Sequence, residues 1–370
     1  MRSPLQGGLP PEDVASGAVV AIACDESGFS GTNLLDPASP VITHASVDLC
    51  VGEAVDLVTT LRSGFRFSPH EFKSAQFLRS PAAGEVLEWF LAALRGRAHV
   101  HVVDKEYFLV TRIVDLLLAE PSYAAGTRLT LEQRPAALTL YRAGHPSGRS
   151  WRLFLGAFVE LFRIKRQRWP DPLALTRFFQ ARDALLQDQL GARAEDVLAG
   201  LSRTRVQAVL TRLFAGDPSI PPPLEPMLPA LAETVLFWSG HDRRQVLVTH
   251  DEQSALTPGR LRRLQQALAD SAGCRPPASA AGTGPALARI SPLAGLLMAD
   301  SRDDPRVQVA DLLAGMARRL PQTLDDSPLH SFLSSSSLEG TARPQVHRDG
   351  ATVIGLARPM QGDCGMHDPA

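Results

Sequence analysis

The chain has 370 residues, 44% of them hydrophobic and 21% charged, with a formal net charge of −1. That length allows one large domain or two ordinary ones, and the balanced charge excludes a global basic field of the kind that announces nucleic acid. No apolar run reaches ~18 residues, so no membrane span is expected; the polar, Pro/Gly-rich opening has no signal-peptide pattern, and the expected compartment is cytoplasmic.

Residues 1–16 read as a flexible leader. Gly17–Cys24 is a first strand, and Val41–Leu49 a second beyond a Gly/Pro-containing loop. Glu53–Leu61 fits a helix, 66–79 is polar, and Ala83–Leu94 is an amphipathic helix. Ala98–Val103 is a strand that ends on Asp104, and Tyr107–Leu118 is again helical. Residues 121–145 are mixed in pattern, whereas Trp151–Phe214 carries helical spacing throughout. A proline-rich boundary over Asp217–Pro229 precedes a helix at Leu231–Trp238. Gln245–Thr249 is a short strand followed by His250-Asp251-Glu252, and Pro258–Ala272 a helix. After a flexible loop, Leu293–Met298 is a strand and Arg306–Leu320 a helix. Asp304 is expected to cap that last helix, with Pro305 at its first position. From residue 333 a Ser run and many Gly and Pro suggest a loose tail.

Strands alternating with helices argue for an α/β layer. The expected organisation is a core in two parts, 17–120 and 241–320, separated by a mostly helical insertion at 121–240 and followed by a partly disordered tail at 321–370.

Chemistry concentrates where apolar strands end in acids. Ala18–Cys24 runs directly into Asp25-Glu26-Ser27-Gly28; Asp104 and Asp251 follow strands in the same way. Asp311 lies on the last helix beside the apolar Val309, Leu312 and Leu313. Bare carboxylates near a core are costly unless a cation or donors face them. Mg²⁺ takes hard oxygen ligands, one or two carboxylates with substrate phosphate, and two such ions can clamp a phosphodiester. The bland alternative for each acid is a polar strand end entering a turn. No Cys-x-x-Cys pair occurs among Cys24, Cys50, Cys274 and Cys364, so neither a zinc ribbon nor a redox motif is indicated. There is no Walker loop, and Ser27 lacks the Gly-x-Ser-x-Gly elbow of acyl-transfer enzymes.

The motifs Asp25-Glu26-Ser27-Gly28, Glu71-Phe72-Lys73, Val103-Asp104-Lys105 and Asp251-Glu252, then Ser301 and Gln308-Val309-Ala310-Asp311-Leu312-Leu313-Ala314-Gly315, stand in one order. That order resembles the domain of unknown function 3800 family, which looks like a branch of the ribonuclease H-like superfamily. The opening and closing motifs are the most specific, and the resemblance spans roughly residues 17–320. It implies a ribonuclease H-like mixed sheet flanked by helices and a metal-dependent nuclease-like site using Mg²⁺ or Mn²⁺. Asp25, Asp251 and Asp311 would be metal ligands, with Glu71 and Asp104 competing for a further place. Glu26 should face away from Asp25, because strand neighbours point to opposite faces. Gln308, three residues before Asp311, can share its helix face and orient it.

Lys73 is one of only three lysines; it reads as a phosphate contact or as a solvated surface residue. His70 and His250 sit beside site acids and read as proton shuttles or as polar loop residues. Arg163, Lys165, Arg166 and Arg168, ending on Trp169, form the densest basic cluster, suited to a phosphate backbone or to the solvated face of a helix. The expectation is hydrolysis of phosphodiester bonds in DNA or RNA, with no membrane partner. The rival is a catalytically silent binding or regulatory module of the same fold, in a defence or mobile-element setting, its acids held by Ser27, Lys73 and Lys105.

Overall fold

The computed structural model describes residues 8–10, 19–29, 31, 33–64, 83–163, 172–240, 244–271, 290–319 and 328–340. In chain order, β1 (Val19–Ser27) and β2 (Val41–Val47) precede α1 (Val51–Gly64) and α2 (Ala83–Leu94). β3 (Ala98–Asp104) leads without a break into α3 (Lys105–Leu117). The insertion contributes α4 (Arg134–Gly144), α5 (Arg149–Phe162), α6 (Pro172–Leu186), α7 (Ala192–Ala199) and α8 (Arg203–Phe214). α9 (Met227–Ser239), β4 (Gln245–Asp251), α10 (Pro258–Ser271), β5 (Leu293–Ala299) and α11 (Pro305–Arg319) complete the core. Among the described residues no helix is long and apolar enough to cross a membrane.

The strands form one five-stranded sheet in the order β3-β2-β1-β4-β5. β2 is antiparallel to β1 and to β3, while β4 runs parallel to β1 and to β5. This is an α/β fold with the mixed-sheet order of ribonuclease H-like proteins and a helical insertion. β1 is central, so its C-terminal end receives the ends of neighbours that lie far away in sequence. It is apolar on both faces, as a strand covered on both sides must be.

Strand alternation divides the core into two clusters. Ile22, Cys24, Ile42, Val103 and Val248 join the cluster built from α3, the insertion and α9. Ala23, Ala45, Val47, Val100 and Val102 face α1, α2 and α11. The opposition of Asp25 to Ala45 assigns Asp25 to the second face, toward α11, and the opposition of Glu26 to His44 assigns Glu26 to the first, toward α9.

Both outer strands are partly covered. Leu9 exchanges two 2.8 Å hydrogen bonds with Leu296 of β5. On β3, Ser334 N donates to Val100 O, Leu338 N to Val102 O, and Asp104 N to Leu338 O, each at 2.8 Å. Residues 333–340, expected as loose tail, therefore pair with a strand edge. Composition signalled disorder, but Leu329, Phe332 and Leu338 are buried and anchor the segment. Glu233 of α9, itself fully buried, holds it from within: its carboxylate accepts from Ser336 Oγ and pairs with Arg128 Nε at 2.9 Å, with Arg134 beyond at 3.8 Å.

Several boundaries differ from the sequence reading. β1 extends through Ser27 and β4 through Asp251, so the acids and His250 lie inside strands instead of after them. The stretch Trp151–Phe214 divides into α5–α8, with Gly191 at positive φ beginning α7. The mixed stretch before it contains α4.

Candidate functional site

Asp25 is 5% exposed on the central strand, and its Oδ1 accepts the main-chain N–H of Glu26 at 2.6 Å. Burial, then the charges of Glu26, Asp311 and Asp251, push its carboxyl up to about 10. Acids from β1, β4 and α11 thus crowd one buried carboxyl, and among the described residues no basic side chain pairs with it. Gly28 closes β1 behind this group. It has φ +90°, and a Cβ there would strike the Val41 carbonyl oxygen and the Arg318 side chain, so glycine is required.

Each acid is held by its own element. Asp251 ends β4, and its Oδ1 accepts Ser301 N at 3.0 Å, tying that strand end to the turn before α11. Asp311 rides on α11, anchored by Leu312 and Leu313, both buried. Asp304 begins this helix as expected, its Oδ1 accepting Arg306 N at 2.9 Å. Glu26 Oε1 accepts from Gln253 Nε2 at 2.5 Å, while its buried Oε2 has no partner among the described residues. Burial, then Asp251, raises Glu26 to about 7.

Glu225, two residues before α9, extends the cluster on the Glu26 side. Its Oε1 accepts Met227 N at 3.1 Å. Burial lifts its carboxyl to about 7, Glu26 adds to the rise, and Arg260 and Arg112 oppose it. Nothing local marked Glu225, because it sits in a proline-rich segment with no periodicity. Gln253 and His44 were also missed. For His44 a signal existed: a histidine at a core-facing parity of an apolar strand.

Other expected members stand elsewhere. Asp104 is the N-cap of α3: Oδ1 accepts Tyr107 N at 3.0 Å and Oδ2 accepts the Tyr141 hydroxyl at 2.8 Å. It lies on β3, two strands from β1, its two oxygens accept from the cap and from Tyr141, and it is not among the charges that act on Asp25. Lys105 donates to Ser39 Oγ at 3.3 Å, and Asp36 is the acid whose field reaches it, so it does not neutralise the site. Ser27 Oγ accepts from Arg318 Nε at 2.9 Å. Gln308 accepts from Arg62 Nη2 of α1 at 3.2 Å and so braces α11 against α1. His250 is fully buried on β4, which corrects its reading as a loop residue. Arg163 is exposed at the end of α5. Glu71, Lys73, His70, Lys165, Arg166 and Arg168 lie outside the described residues.

The donor chemistry suits a hard divalent cation. It consists of carboxylate oxygens whose mutual repulsion a cation would relieve. The spacing is not that of a closed cage: among the described residues no three His, Cys, Asp or Glu side chains converge on one ion. A cation here would be held by one or two carboxylates, as Mg²⁺ commonly is, with water and ligand oxygens supplying the rest. The chain matches no family model, no curated protein and no solved structure.

Proposed function

We propose that this chain hydrolyses phosphodiester bonds in DNA or RNA with Mg²⁺ or Mn²⁺, Asp25 being the central ligand, with Asp251 or Asp311 as its partner carboxylate and water and substrate oxygens completing the shell. The observation that carries the reading is the set of acids, Glu26, Asp251 and Asp311, whose charges act on buried Asp25 of the central strand, with no paired base among the described residues. The sheet order and the resemblance of the opening and closing motifs support it. A bound divalent ion would supply an activated water and stabilise the leaving oxygen. Asp25, buried and raised, holds a proton that it would have to give up to water in order to serve as a ligand. Ser301 orients Asp251 through Oδ1. Glu26, on the other face, stays with Gln253. The cation matches the chemistry of the substrate, whose phosphate oxygens are hard ligands too.

A second reading, a catalytically silent ribonuclease H-like module in a defence or mobile-element setting, draws on the absence of a converged trio among the described acids. Labelled single- and double-stranded DNA and RNA, incubated with Mg²⁺ or Mn²⁺, separate the two. The hydrolase reading expects cleavage that chelator stops and that Asp25→Asn reduces by at least about 100-fold, since metal placement supplies the transition-state electrostatics. Binding without cleavage across the whole panel would favour the silent module.

A further inference from the structure

Between the sheet and α9 lies a line of polar groups that the proposed chemistry does not use. His44 of β2 and His250 of β4 are both fully buried, with Nε2 atoms 3.0 Å apart. Their rings stack with centroids at 5.2 Å and an interplanar angle of 25°. His44 Nδ1 lies 2.9 Å from Thr234 Oγ1 on α9, and His250 Nδ1 lies 3.0 Å from the main-chain oxygen of Asp251. Two Nε2 atoms this close share a single proton, so the two imidazoles cannot both be cations; burial, first of all, holds His44 below its ordinary range.

The protons in this line have one consistent arrangement. A carbonyl oxygen only accepts, so His250 must carry its proton on Nδ1. Its Nε2 is then a bare lone pair, and the bond to His44 requires the proton on His44 Nε2. His44 Nδ1 is left as an acceptor, which the Thr234 hydroxyl fills. The reverse direction would set two lone pairs against each other at the Asp251 carbonyl. Direction is therefore fixed from one end, by the peptide that carries a site acid.

We propose that His44 and His250 are positioning residues for Asp251: the directed chain Thr234 to His44 to His250 to the Asp251 carbonyl pins the last peptide of β4, and so the carboxylate it presents to Asp25. The inference rests on the reading of Asp251 as a cation ligand. Asp251 is where the ladder to β5 ends, its last partner being Ala299, and a strand end held only by its ladder frays. Here the carbonyl is held by His250 and the carboxylate Oδ1 by Ser301. A rigid element is thereby linked to the site, since Thr234 belongs to α9, a helix buried along most of its length. Two imidazoles in an apolar layer would be costly without mutual hydrogen bonds, and leucine would pack there without that cost. Outer groups of this kind orient acids that touch a metal without touching it themselves.

The first test is a long-range ¹H–¹⁵N spectrum of ¹⁵N-histidine-labelled wild type at neutral pH, assigned through His44→Asn and His250→Asn. The expected result is a proton on Nδ1 of His250, against the usual preference of imidazole, and on Nε2 of His44. The second is Mn²⁺ affinity by titration. His44→Asn should weaken it roughly tenfold or more, and His44→Gln, whose amide N–H reaches the place of Nε2–H, should recover most of the loss. A proton on Nε2 of His250, or a His44→Asn protein that binds Mn²⁺ as the wild type does, overturns the proposal. A wild type that binds no Mn²⁺ removes the proposed function instead, and the tautomer spectrum alone then decides whether the relay pins Asp251.

Discussion

Asp25 is where burial and charge are most sharply opposed. Its carboxyl, raised to about 10, binds a proton in the folded protein over a range in which the unfolded chain has lost it. Folding is therefore penalised increasingly as pH rises from the unfolded value near about 4 toward 10. In chelator, urea unfolding should find the wild type losing stability across pH 6 to 9, by at most about 1.4 kcal/mol per pH unit from this group. Asp25→Asn should flatten that slope; an unchanged slope would mean that the carboxyl is not the titrating group. Mg²⁺ or Mn²⁺ should raise the melting temperature of wild type by mass action, and Asp25→Asn should lose most of that rise. Equal metal responses in the two proteins would detach Asp25 from any cation. The residue was legible in the sequence because a strand that ends in Asp-Glu announces itself within a few positions. Glu225 was not, because only the fold brings its segment near Glu26.

At the level of elements, Asp104 teaches why the same grammar can mislead. Val103-Asp104-Lys105 has the form of a strand delivering an acid, yet it is equally a strand running into a capped helix. The two differ only in what stands opposite, and that is decided by strand order. Asp104→Ala should cost about 1–2 kcal/mol of stability through the lost cap and the stranded Tyr141 hydroxyl, while Mn²⁺ affinity stays as in wild type. Thermal unfolding and metal titration on the same samples read both; a lost affinity would return Asp104 to the site. Glu233 predicts a contrasting size. It is a fully buried acid facing Arg128 and Arg134, and Glu233→Gln should destabilise by about 3–5 kcal/mol by leaving cations unbalanced. A loss within a few tenths of a kcal/mol in urea would show that these arginines find solvent instead. Helix positions were read correctly wherever periodicity ran unbroken, as at α2 and α10. The ends of β1 and β4 were read short, because Asp and Glu are poor strand formers and only tertiary pairing keeps them in register, while β2, read to Leu49, ends at Val47.

For the whole molecule, the order of strands and the covering of their edges were beyond the reach of local pattern. Parallel pairing of β1 with β4 joins segments separated by the entire insertion, and no spacing rule encodes such a partner. The near-neutral chain must engage a polyanion, if it does, through a local patch. Replacing Arg163, Lys165, Arg166 and Arg168 together with Gln should weaken DNA or RNA binding and lower its salt slope, with cleavage at saturating substrate retained. Fluorescence anisotropy at several salt concentrations measures this, and an unchanged slope would assign the cluster to the solvent.

The segment 333–338 along β3 also has a consequence for the order in which the protein is made. A ribosome finishes β3 early and Leu338 late, so one outer strand of the nascent sheet keeps open N–H and C=O groups through most of translation. Such an uncovered margin is a template for a neighbouring nascent chain. The same exposure can be created on purpose: ending the chain after residue 327 should yield a protein that self-associates with rising concentration, visible as growing light scattering where the full chain stays constant.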